Sequence, residues 1–132
     1  MKISIVVNKN LNSGQKANVS AIIAGQFGRD IPNLFTKPIV DNSGTEHAGI
    51  SVNVVILNGN GNQLLTLLKQ ARENNIKYIV FSTIGQSLNN DYDKYVQKIL
   101  SSDTESTQII GVGIYGDEET VKMLTRKFSL AK

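Results

Sequence analysis

The stretch "ISIVVNKNLNSGQKANVSAIIAG", residues 3–25, decides how the chain is read. Residues 2–8 are an apolar run rich in Ile and Val, the pattern of a strand buried on both faces. After a polar loop, Val19, Ile22, Ile23 and Phe27 recur at helical spacing. The unit is strand, loop, helix, and it returns along the chain. "ISVNVVIL" (50–57) is β-branched and strand-like, "NGNGN" is a turn, and Leu64, Leu65, Leu67, Leu68 and Ala71 mark a helix with a broad buried stripe. Asn74 and Asn75 suit its C-terminal end, where a left-handed residue is needed.

"IKYIVF" (76–81) repeats the strand signal. "NNDYDKYVQKIL" places Tyr92, Tyr95, Val96, Ile99 and Leu100 on one helical face, which assigns both tyrosines to packing at the edge of the core. "TQIIGVGIYG" gives a fourth strand, and "DEETVKMLTRKF" a closing helix with three acidic residues in its first turn. Residues 28–49 carry no long periodic pattern, and "DNSGTEHAG" reads as a tight polar turn built on Asp41, Asn42 and Gly44. Four strands alternating with four helices predict an α/β domain over residues 1–132, with a mixed, mostly parallel sheet and helices on both faces.

Composition agrees. A chain of 132 residues fits one domain that buries roughly two-thirds of its unfolded surface. The absence of cysteine removes disulfides, thiolate nucleophiles and cysteine metal sites together. No run of eighteen apolar residues could span a membrane, and the first residues are too briefly apolar for a signal peptide, so a cytoplasmic protein is expected. The net charge of +3 is scattered; its nearest cluster, Lys122, Arg126 and Lys127, complements a helix dipole, and solvated charge is preferred to a nucleic-acid footprint.

Few motifs carry chemistry. Gly111-Val112-Gly113-Ile114-Tyr115-Gly116 formally matches a dinucleotide fingerprint. Its first two glycines lie inside a strand, however, and Asp117, Glu118 and Glu119 occupy the place of a pyrophosphate. Strand glycines admitting close backbone approach are the better reading. The opening loop has Gly14 and Lys16 but lacks the second glycine and the Lys-Ser/Thr pair of a Walker loop; a small anion at the helix N-terminus stays open. His47 is the only histidine, read as a loop residue bonded to backbone with a general base as the alternative. Asp91 and Asp93 cap a helix more simply than they bind metal. No metal and no cofactor are expected.

Three blocks together resemble the type 2 peptidyl-tRNA hydrolases. "ISIVVNKNLNSGQKANVSAIIAG" is similar to that family's first strand, Leu-x-x-Gly loop and first helix. "LLTLLKQARENNIKYIVFSTIGQS" is similar to its helix, strand and Asp-Ala-Gly-Arg-Thr segment, and "QIIGVGIYGDEETVKMLTRKFSL" to its Leu-Gly-Ile-Gly strand and last helix. The resemblance implies a three-layer sandwich, often as a homodimer. The family's catalytic lysine falls on Ala17, its helix glutamine on Ala21, its aspartate on Thr83, the nearby threonine on Ser87 and a later threonine on Gln108. Only Ser87 keeps the chemistry, and alanine can neither stabilise an oxyanion nor position water. Lys16 is one position off, about 100° away on a helix. An inserted helix near residues 90–102, with "LNSGQKAN" and "YDKYV", looks closer to a small uncharacterised bacterial family sharing this fold.

The expectation is therefore a hydrolase-like domain without that catalytic set, acting as a small-ligand or partner-binding module. Ligands of open α/β sheets sit at strand C-terminal ends. Gly14, Lys16 and Asn18 should share a cleft with Thr83, Gln86 and Ser87, with Asp41 and His47 within its reach. The alternatives are a hydrolase of peptidyl-tRNA or another ester, with His47 as base and Ser87 or Thr83 in support, and a homodimeric interaction protein.

Overall fold

The structure, a computed structural model, describes residues 1–88 and 90–131. Its centre is β1 (Lys2–Asn8), in which Ile3, Ile5 and Val7 face one side and Ser4 and Val6 the other, all buried. Beside it run β4 (Asn53–Gly59) and β6 (Ile109–Gly116); β5 (Lys77–Ser82) and β7 (Ser129–Leu130) complete a sheet of order β5-β6-β1-β4-β7.

The sheet is mixed but not mostly parallel. Only β1 and β4 pair in parallel, with Ile5 opposite Ile56. β6 runs antiparallel to both β1 and β5, its Gly113 lying opposite Ile5 on one side and Ile79 on the other, and β7 is antiparallel to β4. The continuous apolar runs arise because helices cover both faces, and that burial says nothing about strand direction.

Helix α1 (Ser13–Asp30) lays Val19, Ile23 and Phe27 on the face of Ile3, Ile5 and Val7. It can do so closely because β6 has glycine beneath it. A Cβ on Gly113 would fall 2.7 Å from Phe27 Cε2, and one on Gly111 would meet Val19 and Ile23. On the other face, α2 (Gly61–Glu73) and α5 (Glu118–Thr125) pack Leu64, Leu67, Leu68, Val121 and Leu124 around Val6, Val112 and Ile114. Asn12 and Gln15 form a capping box on α1, and Asn60 and Gln63 repeat it on α2.

Two short helices, α3 (Thr83–Ser87) and α4 (Tyr92–Leu100), follow β5. Asp91 caps α4 by accepting from the Lys94 N–H. Asn75 ends α2 with φ 53°, the left-handed residue the sequence requires there. The second strand read from the sequence, β4, begins at Asn53 rather than at residue 50; Ile50 instead makes an isolated bridge with Phe35. Between them, β2 (Ile39–Val40) and β3 (Glu46–His47) form an exposed hairpin whose turn includes Gly44 at φ 87°. Tyr92 is 76% exposed and no residue of α4 is buried, so Tyr92 is not core packing.

Candidate functional site

β1, β4 and β5 point the same way, so α1, α2 and α3 all begin at one edge of the sheet. There the opening loop becomes a helix cap. The Asn12 side chain accepts from the Gln15 N–H at 2.8 Å and the Gln15 side chain accepts from the Asn12 N–H at 3.0 Å. Two of the N–H groups at this helix start are thus used internally. Gly14 lies in the first turn of α1 with negative φ, so it is not a sharp-turn glycine.

Helical geometry sorts the α1 candidates. Gly14, Asn18 and Ile22 recur every fourth residue and form one row, whereas Lys16 stands about 200° from Asn18, on the opposite flank of Val19. Ile22, the last of this row, lines a groove of about 200 Å³ together with Phe81, Gly85, Leu88, Tyr92 and Tyr95. Gly85 is small by necessity, since a methyl there would overlap the Phe81 ring. The groove contains apolar surface and two tyrosines and has no charged lining residue.

Thr83 opens α3 beside this groove. Its hydroxyl donates 3.2 Å to the Thr107 carbonyl and lies 3.2 Å from Gln108 Oε1, while its N–H donates to the Gln108 carbonyl at 3.0 Å. Gln108 takes φ 56°, the left-handed residue that ends the single 3-10 turn Glu105–Thr107. Ser87 spends its hydroxyl on the Ile84 carbonyl at 3.2 Å, and Gln86 is half-buried. Thr83, Gln86 and Ser87 sit on α3, whose Gly85 lines the groove, and none of the three is itself among the groove's lining residues.

Asp41 and His47 lie at the β2–β3 hairpin and are not among the groove's lining residues. His47 Nε2 lies 2.8 Å from Asp41 Oδ2, so the histidine is bonded to a carboxylate and not to backbone. This hydrogen bond, followed by the N–H groups of Thr45 and Ser43, holds the Asp41 carboxyl below its ordinary value. The hairpin is rooted near Phe35, whose ring packs on Gly28, ten residues and about 15 Å along α1 from Asn18. Among the described residues no group of three His, Cys, Asp or Glu side chains could hold a metal ion, and no helix is long and apolar enough to cross a membrane.

Sequence reasoning missed the groove itself. Tyr92 and Tyr95 follow the periodicity of a core-facing helix, and periodicity does not reveal whether a face is covered.

Fold and site together define an α/β domain with a mixed five-stranded sheet and an uncharged groove at the edge where its parallel strands end. The chain belongs to the family described as Protein of unknown function (DUF2000), whose model matches residues 1–132. It is also similar to a solved structure of a protein of unknown function from Agrobacterium tumefaciens, with a TM-score of 0.85 and 17% identity, covering 99% of this chain and 97% of that one. At that identity the likeness concerns the fold alone. No curated protein matches the chain.

Proposed function

We propose that the protein is a small-ligand-binding module on a peptidyl-tRNA-hydrolase-like three-layer scaffold, with the groove between α1, α3 and α4 as its site. One observation carries this: the groove is apolar and aromatic, with Tyr92 76% exposed at its mouth, and no charged side chain lines it. Ala17 and Ala21, where the resemblance would put a lysine and a glutamine, are exposed and inert. Thr83 and Gln108, where it would put an aspartate and a threonine, are hydrogen-bonded to each other. A site of this size and polarity takes a ring or short chain.

The reading is tested with neutral aromatic probes, indole and 4-methylphenol, followed by amide NMR shifts and thermal unfolding. Saturable shifts in α3 and α4, lost in Tyr92→Ala, are expected; a flat titration with both probes overturns the reading. A probe at one hundred times its Kd adds about 2.7 kcal/mol of apparent stability.

A second reading, a hydrolase of peptidyl-tRNA or another ester, draws on the 2.8 Å His47–Asp41 contact, since a carboxylate can orient an imidazole base. Cleavage of peptidyl-tRNA that disappears in His47→Ala would establish it. Homodimerisation belongs to the same set of proposals, supported by Ile39 and Val40 standing exposed on the hairpin. Gel filtration of wild type beside Ile39→Ser decides it.

A further inference from the structure

Ser4 is the one polar residue in the apolar core of β1, and it is 0% exposed. Its hydroxyl has no hydrogen-bond partner among the described residues. Buried hydroxyls are almost always satisfied, and an exception calls for a cause, such as an absent ligand. Alanine or valine in its place would avoid the cost of desolvating a polar group.

The surroundings supply a cause. Ser4 lines a cavity of about 300 Å³ between α5 and the β1–β4 pair, on the sheet face opposite the groove. α5 spans only Glu118–Thr125, so it leaves part of this face open beside β4. Val55, Leu57 and Phe128 form the apolar part of the wall. Lys2, Lys122 and Arg126 also line the cavity; among the described residues the one ion pair these three make is Lys122 with Glu118, at 3.0 Å. Lys122 first, and Lys2 more weakly, hold the Glu118 carboxyl below its ordinary value, so the two ammonium groups share one field. Three cations facing one carboxylate leave an excess of positive charge over an apolar floor with an unspent hydroxyl.

We propose that this cavity binds a small organic anion, a carboxylate or phosphate carried on an apolar body. Arg126, Lys122 and Lys2 hold the charge, Ser4 donates a hydrogen bond, and Val55, Leu57 and Phe128 take the body. The site is separate from the α1/α3/α4 groove and does not depend on it.

The full chain is titrated with inorganic phosphate, phenyl phosphate and benzoate at 50 mM salt, by calorimetry and amide NMR. Phenyl phosphate or benzoate is expected to bind saturably, with shifts centred on Ser4, Val55 and Arg126. Whichever of the two binds more tightly distinguishes a phosphate site from a carboxylate site. Inorganic phosphate is expected to bind at least about tenfold more weakly, because it lacks the body. Arg126→Gln should weaken binding by about tenfold or more, the effect of removing a charged hydrogen bond. Ser4→Ala should weaken binding and at the same time raise the Tm of the free protein by roughly 2–4 °C, because an unsatisfied buried hydroxyl is gone. A purely structural serine would give a lower Tm. No saturable binding of phenyl phosphate or benzoate, or binding unchanged in Arg126→Gln, overturns the proposal. Tyr92→Ala, on the opposite face, should leave it unchanged.

Discussion

The Thr83 hydroxyl lies 3.2 Å from the Gln108 side-chain oxygen, fastening the first residue of α3 to the residue that precedes β6. Two segments twenty-five residues apart are thereby pinned together. Thr83→Val keeps the shape and removes the hydroxyl. It should cost about 1 kcal/mol in urea unfolding, the net worth of one such bond. A variant as stable as wild type would show the contact to be incidental.

Close approach of α1 to the sheet predicts opposite outcomes at two glycines. Gly113→Ala places a methyl against Ile23 and Phe27 and should destabilise by about 1–3 kcal/mol, the usual cost of overpacking. Gly25→Ala meets nothing within 4 Å on an exposed helical site and should stabilise by about 0.5–1 kcal/mol. Chemical denaturation of the two single variants reads both.

The twin capping boxes should behave alike. Asn12→Ala and Asn60→Ala each remove the side-chain acceptor of one N–H at a helix start, that of Gln15 and of Gln63, and are expected to cost about 1 kcal/mol apiece. The caps belong to different helices and share no partner, so the double variant should lose the sum within about 0.5 kcal/mol.

Asp41 carries the pH prediction. Its folded-state pKa is depressed, chiefly by His47, so its contribution to hairpin order is complete above the ordinary value of 3.8 and is lost as pH falls through the lowered one. Carboxyl-carbon NMR should show Asp41 titrating below 3.8, and His47→Ala should move it up toward that value. A midpoint at or above 3.8 in the wild type would contradict the assigned cause.

Tyr92→Ala separates binding from folding. Its side chain is exposed, so stability should stay within about 0.5 kcal/mol of wild type while the groove loses its probes.

Much of this fold is legible in the sequence because periodicity is a direct record of burial. The Ile/Val run of β1, the Leu stripe of α2 and the acidic start of α5 each report a local fact, and each forms the element it announces. Gly111 and Gly113 announce close backbone approach, and α1 packs there. The direction of β6 is different, since an apolar strand reads identically from either end. The hairpin is too short for any period, with two residues in each strand. The groove escaped because α4 has the pattern of a covered helix and lacks a cover, a fact settled by tertiary placement alone. Ser4 escaped for a related reason: whether a serine in a strand is satisfied depends on neighbours far away in sequence.

The placement of β6 also sets an order of assembly. β5 is complete at Ser82, yet its only strand neighbour, β6, starts at Ile109, and that same strand is what joins β5 to β1. Until residues 109–116 are available, the sheet consists of the β1–β4 pair, and β5 packs on α1 and α2 without a strand partner. Nucleation must close long loops before it gains contacts, which slows folding. A chain emerging from the ribosome therefore carries an unmated β5 edge, with its Tyr78, Ile79 and Val80, until its last quarter is made.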